Sequence, residues 1–279
     1  MQFFQLKVTG VCATLKATLG SDDMATWQIL LIICPLTFVA GLIDAIAGGG
    51  GLISLPAFLL TGLPVHQCYG TNKFSSCLGT AIAAGRFYKN KLVDLKPALV
   101  SAVLALGGSL LGVQIALRLN DVLLKKIFLV ILPVMAVFVL FFSNKSKQKA
   151  EKLKGTALYI VCGIIGLALG LYDGLIGPGT GTVLIFLYTT FVGYDYVTAS
   201  GNAKIVNLAS NVASVITYLF AGKVLFIIAI PAAICNIAGN YLGSGMAIKK
   251  GEKFVRTLLI VMLVCIFAKL FYDTFLVGR

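Results

Sequence analysis

The sequence predicts an all-α polytopic membrane protein made of two repeated halves with broken helices. Three observations predict it. Of 279 residues, 59% are hydrophobic and only 12% charged, with a mean hydropathy of +0.98, where a soluble domain carries about 25% charged residues. Uncharged apolar runs cover residues 97–117, 127–142, 155–172 and 224–248, and a crossing takes ~20 apolar residues. A sparse pattern of glycine, aspartate and lysine also occurs twice. Gly41, Asp44, Gly48 and Gly50 match Gly170, Asp173, Gly177 and Gly179. After two inserted residues, Gly62, Gly70 and Lys73 match Gly193, Gly201 and Lys204, and Gly108 and Gly112 match Gly239 and Gly243 in the same register.

Taken in order, residues 1–26 read as an N-terminal tail. Lys7 and Lys16 interrupt its apolar character, so it lacks the continuous core of about 7–15 residues that a signal peptide needs. The first repeat spans 27–143. Its first helix, 27–47, runs into four consecutive glycines at 48–51. A ten-residue apolar piece, 52–61, follows; as a helix it is ~15 Å long, too short to cross alone. Elements at 65–88, 97–117 and 122–142 complete the half. A polar linker, 144–157, carries NKSKQKAEKLK. The second repeat, 158–279, has its first helix at 155–175, starting inside the linker. A break at 177–181, a short piece at 182–191, and elements at 197–220, 225–248 and 254–275 follow.

Duplicated halves with discontinuous helices near the midplane characterise secondary transporters. Counting the short pieces gives five elements per half and an inverted repeat; omitting them gives eight crossings as a parallel 4+4. The five-plus-five count places the lysine clusters at 89–96, 144–154 and 249–256 on one side, in line with the positive-inside rule; the four-crossing count fits the rule nearly as well overall but puts the 249–256 cluster outside.

The net charge of +13 sits mostly in loops and termini, where it sets orientation; nucleic acid is not an expected partner. The seven cysteines show no CxxC spacing, and the only histidine is His66. Metal sites need clustered ligands, so neither a metal nor a cofactor is expected. With no HExxH and no nucleophile–His arrangement, an integral-membrane enzyme is disfavoured, as is a membrane assembly subunit.

Lys73 and Lys204 carry the chemistry that most needs explaining. A lysine at the centre of a membrane helix costs ~2.5–3.5 kcal/mol on insertion scales. Three compensations are open: a bound anion, structural ion pairs with Asp44 and Asp173, or snorkelling from a helix end. The glycine breaks suggest helix N-termini whose free N–H groups cradle an anion, near Gly49, Gly50, Gly51, Gly179 and Thr180, with Gly70 and Gly201 close to two further starts. Asn72 and Asn202 flank the lysines. Asn207, Asn211 and Ser214 fall at i, i+4 and i+7 on one helical face, and the equivalent face of the first half reads Ser76, Thr80 and Ala83. Uncharged donors of this kind suit a permanently charged oxyanion. The four later glycines, Gly108, Gly112, Gly239 and Gly243, read as close helix packing.

The segment GLIDAIAGGGGLISLPAFLLTGLP, followed by YGTNK and KLVD and echoed by GPGTGT and SGNAK, resembles the toluene sulfonate uptake permease family, the TauE/SafE sulfite and sulfonate exporters. The resemblance covers roughly residues 30–275; Pro178 departs from the glycine run, so the two half-sites are not expected to be equivalent. It implies ATP-independent passage of small sulfur-containing anions, usually outward, through a multi-pass protein of the bacterial inner (plasma) membrane. A negative interior favours that direction, since one charge moving through 100 mV is worth ~2.3 kcal/mol. An anion channel and an importer coupled to protons through Asp44 or Asp173 are the alternatives. The large polytopic surface suits a homodimer.

Overall fold

The computed structural model describes residues 25–142 and 152–249; expectations for the tail, most of the linker and the element at 254–275 lie outside the described residues. Every regular element among those residues is helical. They are α1 (Thr26–Ala47), α2 (Gly51–Leu59), α3 (Val65–Lys89), α4 (Leu95–Arg118), α5 (Asp121–Phe142), α6 (Gly155–Leu175), α7 (Thr180–Leu187) and α8 (Tyr196–Phe220), then α9 (Phe226–Lys249). Five of them, α1, α4, α6, α8 and α9, are long and apolar enough to cross a membrane. The short pieces form as the sequence predicts. α2 has nine residues; α7 has eight and continues into a π turn, Tyr188–Val192.

Helix packing shows how the duplication is used. The late helix of each half lies against the first helix of the other. A Cβ added to Gly108 on α4 would sit 2.4 Å from the Leu167 carbonyl oxygen on α6, and one on Gly239 of α9 would sit 2.1 Å from that of Phe38 on α1. One turn on, Gly112 and Gly243 meet the Leu171 and Leu42 carbonyl oxygens, both at 2.3 Å. Only glycine permits backbones this close, which accounts for both pairs and for their common register.

The third helix of each half makes the same exchange. Thr71 Oγ1 on α3 accepts from the Leu225 N–H just before α9, at 3.1 Å. Its counterpart, Asn202 Oδ1 on α8, accepts from the Asp94 N–H just before α4, at 2.9 Å. Gly70 and Gly201 were expected near helix starts; they lie inside α3 and α8, pressed against the Lys223 and Leu92 carbonyl oxygens. Two bodies result, α1–α3–α9 and α6–α8–α4, each taking two helices from one half and one from the other. Outside the spans, Asp94 also accepts from Lys152 Nζ and the Tyr194 hydroxyl; burial, with that carboxylate as acceptor, pushes the Tyr194 hydroxyl above its ordinary range.

Candidate functional site

The two helix breaks meet each other. α1 ends at Gly48 with φ 77°, a left-handed backbone that L side chains rarely adopt. A Cβ there would lie 2.3 Å from the Gly181 carbonyl carbon. On the facing side Gly177 has φ 91°. Backbone groups released at membrane depth must be satisfied by protein or line a cavity, and side chains supply several of the bonds. Thr182 Oγ1 donates to the Ala47 carbonyl at 2.9 Å, Thr180 Oγ1 to that of Gly177 at 2.7 Å, and the Tyr172 hydroxyl to that of Pro178 at 2.7 Å.

Both lysines are buried and both pair with the aspartate of the other half. Lys73 Nζ donates to Asp173 Oδ2 at 2.7 Å and to Asn211 Oδ1 at 3.1 Å. Ser210 Oγ donates to the same Asp173 oxygen at 2.5 Å. Lys204 Nζ donates to Asp44 Oδ2 at 2.7 Å and also to the Asp44 backbone carbonyl. Of the three compensations open from sequence, the structure supplies the carboxylates. Each pair bridges the two bodies, α3 to α6 and α8 to α1.

Between the breaks and these pairs lies a cavity of about 40 Å³. One water needs about 10–15 Å³ on this measure, so the space takes a few waters or one compact ion. Asp44, Lys73 and Asp173 line it, with Gly50, Gly51, Gly179 and Thr180 from the breaks. Asn72, Thr80, Asn207 and Asn211 reach it from α3 and α8.

Three expected residues do not line it. Gly49 is buried, and its carbonyl accepts from Leu52 N–H at 3.0 Å. Lys204 lies behind Asp44. Asn202 Oδ1 accepts from the Asp94 N–H ahead of α4. The reason is angular. Asn72 immediately precedes Lys73, whereas Asn202 stands two residues before Lys204, and one residue turns a helix by ~100°. Ser214 is likewise engaged elsewhere, against Ser109 Oγ at 2.9 Å.

The cavity also takes in Ser54, Tyr69 and Asn236, which sequence reasoning missed. Ser54 sits in an apolar run and Tyr69 just ahead of GTNK, where a hydroxyl is easily read as part of the core.

The family described as "Sulfite exporter TauE/SafE" matches residues 33–270. The chain belongs to the TauE/SafE family. A Haemophilus influenzae protein called "Probable membrane transporter protein" is 33% identical over 248 residues, 88% of this chain and 96% of its own length. "Probable membrane transporter protein ORF9" of Sinorhizobium sp is 30% identical over 252 residues, 90% and 95% of the two chains. "Probable membrane transporter protein YfcA" of Escherichia coli K12 is 26% identical over 260 residues, 90% and 96% of the two chains. No solved structure matches. These names describe membrane transporters rather than enzymes, and the TauE/SafE chain is a multi-pass membrane protein.

In this TauE/SafE protein the two half-sites differ chemically. Where Ser210 supports Asp173, the repeat position holds Gly79, and a Cβ there would meet Asn236 Oδ1 at 1.9 Å. Asn236 fills the space that a serine would need. Pro178 faces Gly51, 3.2 Å from its built Cβ.

Proposed function

We propose that this chain is a secondary transporter that carries small sulfur-containing anions, sulfite, sulfonates or related organosulfur species, outward across the bacterial inner membrane by alternating access. The observation that carries the reading is the cavity between the crossed glycine breaks, where Lys73 meets hydroxyl and amide groups from both bodies. The family description supports a sulfur oxyanion as cargo. The exchanged packing supports two halves related by inversion, with α2 and α7 as the short broken elements of a five-plus-five layout. Export of a monoanion needs no coupling ion, because the membrane potential supplies ~2.3 kcal/mol per charge at 100 mV.

The test is flux from proteoliposomes loaded with sulfite or methanesulfonate. Saturable efflux with counterflow, lost in Lys73→Ala protein that still elutes as a folded species, is the expected result. Efflux without saturation or counterflow would replace the carrier by a channel. Efflux unchanged in Lys73→Ala would remove the cavity from the path.

A further inference from the structure

The charges at the cavity cancel. Lys73 is matched by Asp173 and Lys204 by Asp44, with Nζ to carboxylate distances of 2.7 Å in both pairs. A ligand entering between them therefore meets no net positive charge. What it does meet is unspent hydrogen-bonding capacity. Ser54 and Tyr69 both line the cavity and are each only 1% exposed, and neither hydroxyl has a hydrogen-bond partner among the described residues, nor does Oδ1 of the lining Asn72. Buried polar groups in proteins are almost always paired, so two unpaired hydroxyls on residues that line one cavity point to a ligand that accepts from both. The second half offers no copy of this wall: the residue matching Ser54 in the later register is Ile185, and the one matching Tyr69 is Ser200, whose hydroxyl is used by the Tyr196 carbonyl.

Resting on the transporter reading above, we propose that Ser54 and Tyr69 are the specificity-determining donors of this site, and that the site selects compact monovalent oxyanions over divalent ones. An uncharged wall can replace part of the hydration of a single charge by donated hydrogen bonds. The Born cost of dehydration rises with the square of the charge, so a dianion of the same size loses roughly four times as much. In a cavity whose fixed charges already neutralise one another, nothing offsets that difference. Bisulfite and methanesulfonate fit the description; sulfite dianion, sulfate and thiosulfate do not. Methanesulfonate and sulfate make the sharpest pair, being tetrahedral and close in size, with a methyl group in place of a charged oxygen.

The experiment is ligand-induced thermal stabilisation of the purified full chain at constant ionic strength. The probes are methanesulfonate, sulfate, thiosulfate and sulfite, the last on both sides of the pH at which bisulfite ionises. The proteins are wild type, Ser54→Ala and Tyr69→Phe. Hydrogen bonds to a charged group are worth about 1.5–3 kcal/mol, so each variant should bind methanesulfonate at least ~10-fold more weakly. Sulfate should give no shift in any of them, and sulfite should weaken as pH rises. Tyr69→Phe keeps the ring that packs edge-on against Phe128, so it remains informative if Ser54→Ala fails to fold. Stabilisation by sulfate equal to that by methanesulfonate would overturn the charge selection. Equal binding of methanesulfonate by wild type and both variants would overturn the role of the hydroxyls while leaving the anion carrier standing. No shift with any anion in wild type would overturn both.

Discussion

Removing Lys204 should destabilise the fold, and removing Asp44 with it should repair most of the damage. Lys204 is 1% exposed and donates to two oxygens of Asp44. Lys204→Met leaves an aspartate at membrane depth without its counter-charge. Breaking a buried pair costs about 3–5 kcal/mol, whereas replacing both partners by neutral groups of similar volume is often neutral. The Asp44 side chain is 13% exposed, towards the cavity, so water there recovers part of its solvation and the lower end, about 3 kcal/mol, applies. The double variant Asp44→Asn/Lys204→Met should return to within about 1 kcal/mol of wild type. The measurement is a double-mutant cycle on reversible unfolding in detergent, which isolates the pair from its surroundings. A silent Lys204→Met, or a double variant as unstable as the sum of the singles, would refute the exchanged pair as the reason this lysine is tolerated in the membrane.

The packing glycines make two further predictions. Gly108→Ala and Gly239→Ala should destabilise to similar extents, because both Cβ atoms would meet a carbonyl oxygen of the exchanged helix. Gly107→Ala, whose Cβ would meet nothing within 4 Å, should be neutral or slightly stabilising by helix propensity; thermal melts of the three variants check the order. Asn202→Ala and Thr71→Ala should each cost about 1 kcal/mol of stability and leave anion affinity unchanged, as ligand titrations on the same samples would show.

The periodic features of the fold were legible in the sequence: the short pieces after the breaks and the role of the four later glycines. These depend on local pattern, and the boundaries of α6 match the sequence expectation residue for residue. What sequence could not supply was pairing between halves. Asp44 stands 29 positions from Lys73 in sequence and Asp173 stands 31 from Lys204, so the simplest reading pairs acid and lysine within a half. The structure does the reverse, because α4 and α9 change places, α3 packs on α8, and each lysine reaches the aspartate of the other half. Asn202 lies away from the cavity for a smaller reason. The GTN and GNA tripeptides look alike, but one residue of offset from the lysine turns the amide to another face. Ser54 and Tyr69 were invisible because burial of a hydroxyl has no signature in a single apolar run.

The exchange has a mechanical consequence that sets the proposed alternating access apart from a rocking of the two sequence halves. α1 and α9 touch backbone to backbone through Gly239 and Gly243, and Asn236 Nδ2 donates to the Thr37 carbonyl at 3.3 Å. Backbones packed this closely do not slide freely, so the proposed movement keeps α1, α3 and α9 as one unit and α6, α8 and α4 as the other. The α3–α8 packing, the two ion pairs and the crossed breaks are then the contacts that change as the cavity opens. Cys34 on α1 and Cys235 on α9 are neighbouring thiols, inside one unit but in different halves. In a variant with the other five cysteines replaced, joining these two thiols by oxidation or a short bifunctional reagent should leave efflux intact. A protease site placed in the 144–157 linker scores the cross-link, since joined fragments no longer separate. If the halves moved as the sequence divides them, the same cross-link would tie one to the other and stop transport. Undiminished flux from fully cross-linked protein therefore supports the exchanged units, and arrest of flux refutes them.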